Sequence, residues 1–226
     1  MAASIYKKKN FTYILPTSPS ELIESTNYTL DFAARKFIHI GLDPTDVFNT
    51  VVQIITPSRY INIPAVFLRR IFCLMGNILS FILDQPQKYN RNYFLEIDII
   101  SLSSMVYQRE NMFVIESKTL AGCRVLLNRT DLMKLQYLQW CIVETVARKS
   151  TIIRPVVLNQ FAMFGNYIDR EFTKVDSPPK TNEEMVPFIN NLRDDKIIGS
   201  TPKQDPMSFI SQLKMFSSYQ LAEHWA

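Results

Sequence analysis

The stretch Arg124–Lys149, RVLLNRTDLMKLQYLQWCIVETVARK, reads as a short strand running straight into a long helix, and the same unit occurs twice in the chain. Val125 to Leu127 is a β-prone run. Asn128 follows it, and Asn is a preferred helix N-cap because its side-chain oxygen accepts a free N–H of the first turn. Leu132, Leu135, Leu138, Ile142 and Val146 then recur at helical spacing and mark one apolar face. Asp131 in the first turn and Arg148 with Lys149 in the last suit the helix dipole. Upstream, Ile61–Leu79 has the same order: a β-prone run, Pro64 where a helix should start, then a helix-length apolar segment. Setting 61 against 125 gives an offset of 64 (125 − 61). It pairs Ile63 with Leu127, Leu68 with Leu132, Ile71 with Leu135, Leu74 with Leu138 and Ile78 with Ile142. That period is long for a solenoid repeat of about 20–50 residues. It suits two copies of a small strand-plus-helix domain.

The composition narrows the function classes. Only 5 of 226 residues are Gly, and neither GxGxxG nor GxxxxGK[ST] occurs, which argues against a phosphate-cradling loop. Residues 1–149 hold 17 Lys and Arg against 12 Asp and Glu, and the remainder holds 8 against 9, so the basic excess lies in the duplicated part. A mildly basic domain is compatible with a polyanionic partner. Cys73, Cys123 and Cys141 are odd in number and lack metal spacing, so buried free thiols in a reducing compartment are expected. The start, MAASIYKKKNF, has no apolar signal core, and an intracellular protein of nucleus or cytoplasm is expected. Val66–Leu83 is interrupted by Arg69, Arg70 and Asn77, so no membrane span is expected.

Five segments follow. Residues 1–34 form an arm with a basic, aromatic run (Lys7, Lys8, Lys9, Phe11, Tyr13) and a short helix capped at Ser18 and reaching Glu24. Residues 35–86 form the first strand–helix unit and 87–150 the second. In the second, Phe94–Leu102 alternates as one strand, and a hairpin turns at Glu110-Asn111. Residues 151–206 are an extension whose Pro-rich, charged part, Lys174–Asp205, reads as a linker. Residues 207–226 are a terminal amphipathic helix whose Phe209, Ile210, Leu213, Phe216 and Trp225 are candidates for docking on another subunit or a partner protein. The fold class is α+β: two antiparallel strand-rich units, each closed by a long helix.

Strands ending in Leu127-Asn128, followed by a helix with Leu135, Leu138, Ile142, Val146 and Lys149, resemble the single-stranded-DNA-binding domain of the transcriptional coactivator PC4 and, more loosely, the Whirly fold. The resemblance covers roughly Phe37–Lys149. It implies a curved sheet of about four strands before each helix, two units associated through their helices as an intrachain pseudo-dimer, and sheets that offer basic and aromatic side chains to unpaired strands. Glu96 and Asp98 depart from the family's pattern. Single-strand binding needs cations for phosphates and flat rings for bases. The candidates are Arg35, Lys36, Arg59, Tyr60, Tyr93, Tyr107, Arg109, Phe113, Lys118 and Arg124. No cofactor is expected under this reading.

An enzyme reading competes with it. Asp98 followed by Glu116-Ser117-Lys118 matches the short pattern of PD-(D/E)xK nucleases, where two carboxylates hold Mg²⁺ and the lysine positions the attacking water. The solvent face of a strand explains the same acids. His39 and His224 are the only histidines and lie far apart, and no GxSxG or HExxH occurs. A scaffold recruiting a partner through its C-terminal helix is the third class.

Overall fold

The computed structural model describes residues 19–86, 91–175, 177, 179–200 and 208–225, and for 198, 200, 224 and 225 the backbone alone. Strands β1 (Ile23–Asp31), β2 (Lys36–Asp43), β3 (Asn49–Ile55) and β4 (Tyr60–Pro64) form one antiparallel sheet in the order β1-β2-β3-β4. Helices α1 (Ala65–Cys73) and α2 (Met75–Leu83) follow. Strands β5 (Tyr93–Glu96), β6 (Ile100–Tyr107), β7 (Glu110–Ser117) and β8 (Arg124–Leu127) form a second sheet in the same order, and α3 (Arg129–Arg148) follows.

The fold is α+β and the duplication is present in it. Lys36 and Ile100, the first residues of β2 and β6, are 64 apart, as are Tyr60 and Arg124, which open β4 and β8. Asn49 and Glu110, which open β3 and β7, are 61 apart: three fewer residues in one turn are made up in the next. The equivalent helix residues Leu68 and Leu132, Ile71 and Leu135, Ile78 and Ile142, and Ile82 and Val146 are all buried. They share one core with Ile38, Val52, Ile54, Ile61 and Ile63 of the first sheet and Leu102, Phe113, Ile115, Val125 and Leu127 of the second. α3 is capped as its sequence indicates: Asn128 accepts from the Asp131 N–H at 2.8 Å and its own N–H donates to Asp131 Oδ2 at 2.9 Å.

Each helix reaches across to the other unit's sheet. Tyr28 on β1 donates from Oη to the Cys141 carbonyl at 3.2 Å and lies 2.7 Å from Thr145 Oγ1. Lys36 on β2 donates to Asp131 Oδ2 and to the Leu126 carbonyl. Thr50 and Asn111 are the second residues of β3 and β7. Thr50 accepts from Ser150 just beyond α3, while Asn111 donates to the Phe81 and Asp84 carbonyls at the end of α2. Within the described residues no single helix is long and apolar enough to cross a membrane. The apolar pair α1–α2 bends by 59° at Leu74, and Phe67, Leu68, Ile71, Phe72, Met75, Ile78 and Ile82 are buried in the core.

Several expectations need correction. The short helix reaching Glu24 is absent: residues 19–22 carry no regular structure and β1 begins at Ile23, so the first unit starts before residue 35. Phe94–Leu102 is two strands separated by a turn at Ile97–Ile99, and the β6–β7 hairpin turns at Gln108 and Arg109, both at positive φ. Cys123 is buried, but Cys73 and Cys141 are exposed. Helix does not stop at Ser150: a π turn, Lys149–Ile153, carries the chain into α4 (Arg154–Phe172). Pro155 lacks the N–H that a regular α turn would need there, which accounts for the wider turn. The basic, aromatic run 7–13 lies outside the described residues.

The expected linker contains α5 (Asn182–Asn191) and α6 (Asp194–Ser200), followed by α7 (Ile210–Phe216) and α8 (Ser218–Trp225). Met185, Ile189, Ile197, Phe209, Ile210, Leu213 and Leu221 are buried in a second core with Ile153, Val157, Phe164 and Ile168. That core also takes in Ile23, Leu42 and Phe48 at the β2–β3 end of the first sheet. Phe209, Ile210 and Leu213 are therefore consumed within this chain, Phe216 is half-buried, and the Trp225 side chain is outside the description. Lys149, 2% exposed, pins the junction by donating to the Glu24 carbonyl and carboxylate, while the Glu24 N–H donates to Gln212 Oε1 on α7 at 2.6 Å. Burial holds the Lys149 pKa below the usual lysine value, against the upward pull of Glu24.

Candidate nucleic-acid interface

The core face of the second sheet is the row Leu95–Leu102–Ile115–Val125. Because side chains alternate across a strand, the neighbouring rows face the other way. These are Glu96–Ser101–Glu116–Arg124 and Tyr93–Ser103–Val114–Leu126. An irregularity between Tyr93 and Leu95 lets Phe94 turn inward against Phe81 and Phe113 while Tyr93 stays outside. Arg91 lies 5.2 Å over the Tyr93 ring, a cation–π distance. It also donates to Ser103 Oγ at 3.0 Å and Glu116 Oε2 at 2.6 Å. Lys118 pairs with Glu96 at 2.6 Å. Both acids and both cations are partly exposed. Such pairs contribute about 0–1 kcal/mol, so their cations can exchange a carboxylate for a phosphate at little cost.

The ten candidates divide sharply. Tyr93, Lys118 and Arg124 gather on this outer face, and Tyr107 lies exposed farther along β6. Arg109 is exposed in the hairpin turn and lines a crevice with Asn128 and Arg129, where Asp84 and Glu110 supply counter-charges. Arg35 is exposed in the β1–β2 turn, beside Ala34 and three residues from the 82% exposed Phe32. Phe113 is a correction: it is fully buried in edge contacts with Phe81 and Phe94 and offers no ring to a base. Tyr60 is likewise buried. Lys36 is committed to Asp131, and Arg59 donates to the Gly122 carbonyl, joining the β3–β4 and β7–β8 turns. Arg91 is the residue that sequence reasoning missed. It sits in a polar stretch before β5, and only its basic, aromatic flavour signalled it.

The first sheet's outer face is partly covered. The chain at residues 19–22 crosses it: Ser20 O accepts from Gln53 Nε2 at 3.3 Å, and a Cβ on Gly41 would stand 2.6 Å from Leu22 Cβ, so only glycine fits there. His39 sits on this face beside Phe37, with ring centroids 6.4 Å apart. Burial holds its pKa below 6.5, opposed by Glu21. An unfolded chain takes up the proton near pH 6.5 while the folded one resists it. Stability is therefore fully present above pH 6.5 and falls as pH drops toward the lowered folded value. Melting scans between pH 7.5 and 5 should show this decline, and His39→Gln should flatten it. Identical pH profiles for the two proteins would contradict the assignment.

The nuclease pattern needs Asp98 and Glu116 to share an ion beside Lys118. Here Glu116 accepts from Arg91, Lys118 donates to Glu96, and Asp98 is exposed in the β5–β6 turn. Among the described residues no group of three or more His, Cys, Asp or Glu could hold a metal ion. Glu116 and Lys118 are each paired outside that pattern in this structure. No protein-family model matches this chain, and no curated protein sequence matches it.

Proposed function

We propose that this protein binds single-stranded nucleic acid, DNA in preference to RNA, without catalysis, in replication, transcription or other genome handling. The observation that carries the reading is the outer face of the second sheet, where Arg91 lies over the exposed Tyr93 and Lys118 and Arg124 stand on the same face. An exposed ring offers a π-face to any base, and cations within one sheet width offer charge to the backbone. The duplicated order of four strands and a helix adds the resemblance to PC4-like domains.

Fluorescently labelled single- and double-stranded oligonucleotides, titrated at two salt concentrations, test it. The single strand should bind more tightly, and log K should fall linearly with log salt. Tyr93→Ala should weaken binding by about 1–3 kcal/mol, the usual worth of one stacked base. Arg124→Ala should lower the salt slope by about 0.7, one phosphate contact on a single strand. Absence of single-strand affinity at low salt would end the proposal.

A further inference from the structure

The side of α3 away from the core carries a row of large exposed side chains. Tyr137 and Trp140 are each 77% exposed and Met133 is 38% exposed. Positions 133, 137, 140 and 144 follow i, i+4, i+7 spacing and share one stripe. The opposite side is anchored, with Leu132, Leu135, Ile142 and Val146 all buried. The rings are thus held on a rigid helix rather than on a loop. Single exposed apolar residues need no explanation, whereas a contiguous aromatic stripe on a fixed element marks a contact surface. Among the described residues, neither the sheet interface nor the two cores use it.

We propose that this stripe pairs with the same stripe of a second copy of the chain, the two α3 helices running antiparallel about a two-fold axis. The charges select this occupant. Glu144 ends the stripe and Lys134 stands beside it; both are exposed and ten residues apart, about 15 Å at the 1.5 Å rise of a helix. With the two-fold axis passing residue 139, Lys134 of each copy comes level with Glu144 of the other. The arrangement is isologous and closes on itself, with two opposite-charge pairs outside an aromatic centre. Tyr137 comes level with Cys141 of the second copy and Trp140 with Leu138, so four rings meet within one helical turn. Arg148 falls level with the uncharged Thr130, and Arg129 level with Lys149, whose ammonium is buried against Glu24 on the far side of the helix. A single strand of nucleic acid suits the stripe less well, because Glu144 stands in line with the rings and repels phosphate. One helix face on each side is a small interface, and buried aromatic rings of about 150–250 Å² each are its main content. The dimer is accordingly weak, with a Kd of the order of micromolar.

Sedimentation equilibrium of the full chain from about 1 to 200 µM, spanning such a Kd, tests this. The mass should rise from monomer toward dimer. Trp140→Ala should remain monomeric with unchanged circular dichroism, since its ring contributes nothing to the core. Lys134→Glu and Glu144→Lys should each weaken association about tenfold or more, through like charges at two symmetric positions. The double variant should restore it. A wild-type chain that stays monomeric throughout, or a double variant as weak as the single ones, overturns the proposal. So does a Trp140→Ala protein that keeps its dimer but loses oligonucleotide binding, which would assign the stripe to nucleic acid. Because the Tyr93 face lies on the sheet, dimerisation and single-strand binding can fail separately.

Discussion

Replacing Asp131 with Ala is expected to destabilise the protein by about 3–5 kcal/mol, the usual result of removing one partner from a buried ion pair. Asp131 is fully buried at the first turn of α3 and performs two tasks with one oxygen: Oδ2 accepts from the Asn128 N–H, completing the capping box, and from Lys36 Nζ. Lys36 belongs to β2, so the ion pair ties the first unit's sheet to the second unit's helix. Without the carboxylate, the Lys36 ammonium, whose side chain is 14% exposed, is left between two packed units with only the Leu126 carbonyl as an acceptor. Asn128 still caps the helix, but its own N–H loses its acceptor, which adds about 1 kcal/mol. Urea unfolding should show a lower midpoint with little change in slope. The double variant Lys36→Met/Asp131→Ala should be more stable than Asp131→Ala alone, because no unpaired charge remains. A loss below about 1 kcal/mol in Asp131→Ala would mean that the pair does not join the units, since even the lost hydrogen bond to the Asn128 N–H contributes about that much.

Deleting residues 207–226 is expected to have the larger effect, collapsing the second core and lowering the melting temperature of the whole chain. Ile210, Leu213 and Leu221 are fully buried and Phe209 nearly so. Each such side chain contributes about 1.5–3 kcal/mol on burial. Their sum approaches the entire stability of an ordinary domain, about 5–15 kcal/mol. The deletion also removes Gln212 from the Glu24 N–H and strips cover from Ile23 and Leu42 of the first sheet. Docking of the terminal helix on a separate partner, as its amphipathic pattern suggested, predicts the reverse: a nearly unchanged melting temperature. Differential scanning calorimetry of the two chains distinguishes these outcomes directly.

The same contrast shows where the terminal segments misled. Lys174–Asp205 is rich in Pro and charge, and its few apolar residues are spread thinly. Met185 and Ile189 stand at i, i+4 spacing, and this was the available signal for α5. Two apolar side chains on one turn are too few to declare a buried face until α4, α7 and α8 are seen around them. The terminal helix was recognisable as amphipathic, but amphipathicity specifies only that a face is covered, never by what.

At the candidate interface, sequence alone marked Tyr93, Lys118 and Arg124 correctly as strand or strand-end residues. It could not tell Tyr93 from Phe113. Both are aromatic residues in β-prone runs, and only the register and the irregularity before Leu95 send one ring outward and the other into the core. Nor could it foresee that Lys36 is spent on Asp131, which lies 95 residues away.

What the sequence determined by itself is local and periodic. The cap at Asn128, the apolar stripe of α3 and the alternation in β2, β3, β4, β7 and β8 rest on residues close in the chain, and their recurrence made the 64-residue repetition readable; β1 and the break between β5 and β6 were not. The tertiary structure alone decided the exchange of helices between units, the pairing of Lys36 with Asp131 and of Lys149 with Glu24, the cover over the C-terminal helices, and the exposure of Tyr137 and Trp140. These depend on contacts between residues far apart in sequence, where the free energy comes from whatever surface arrives opposite, and no local pattern encodes that surface.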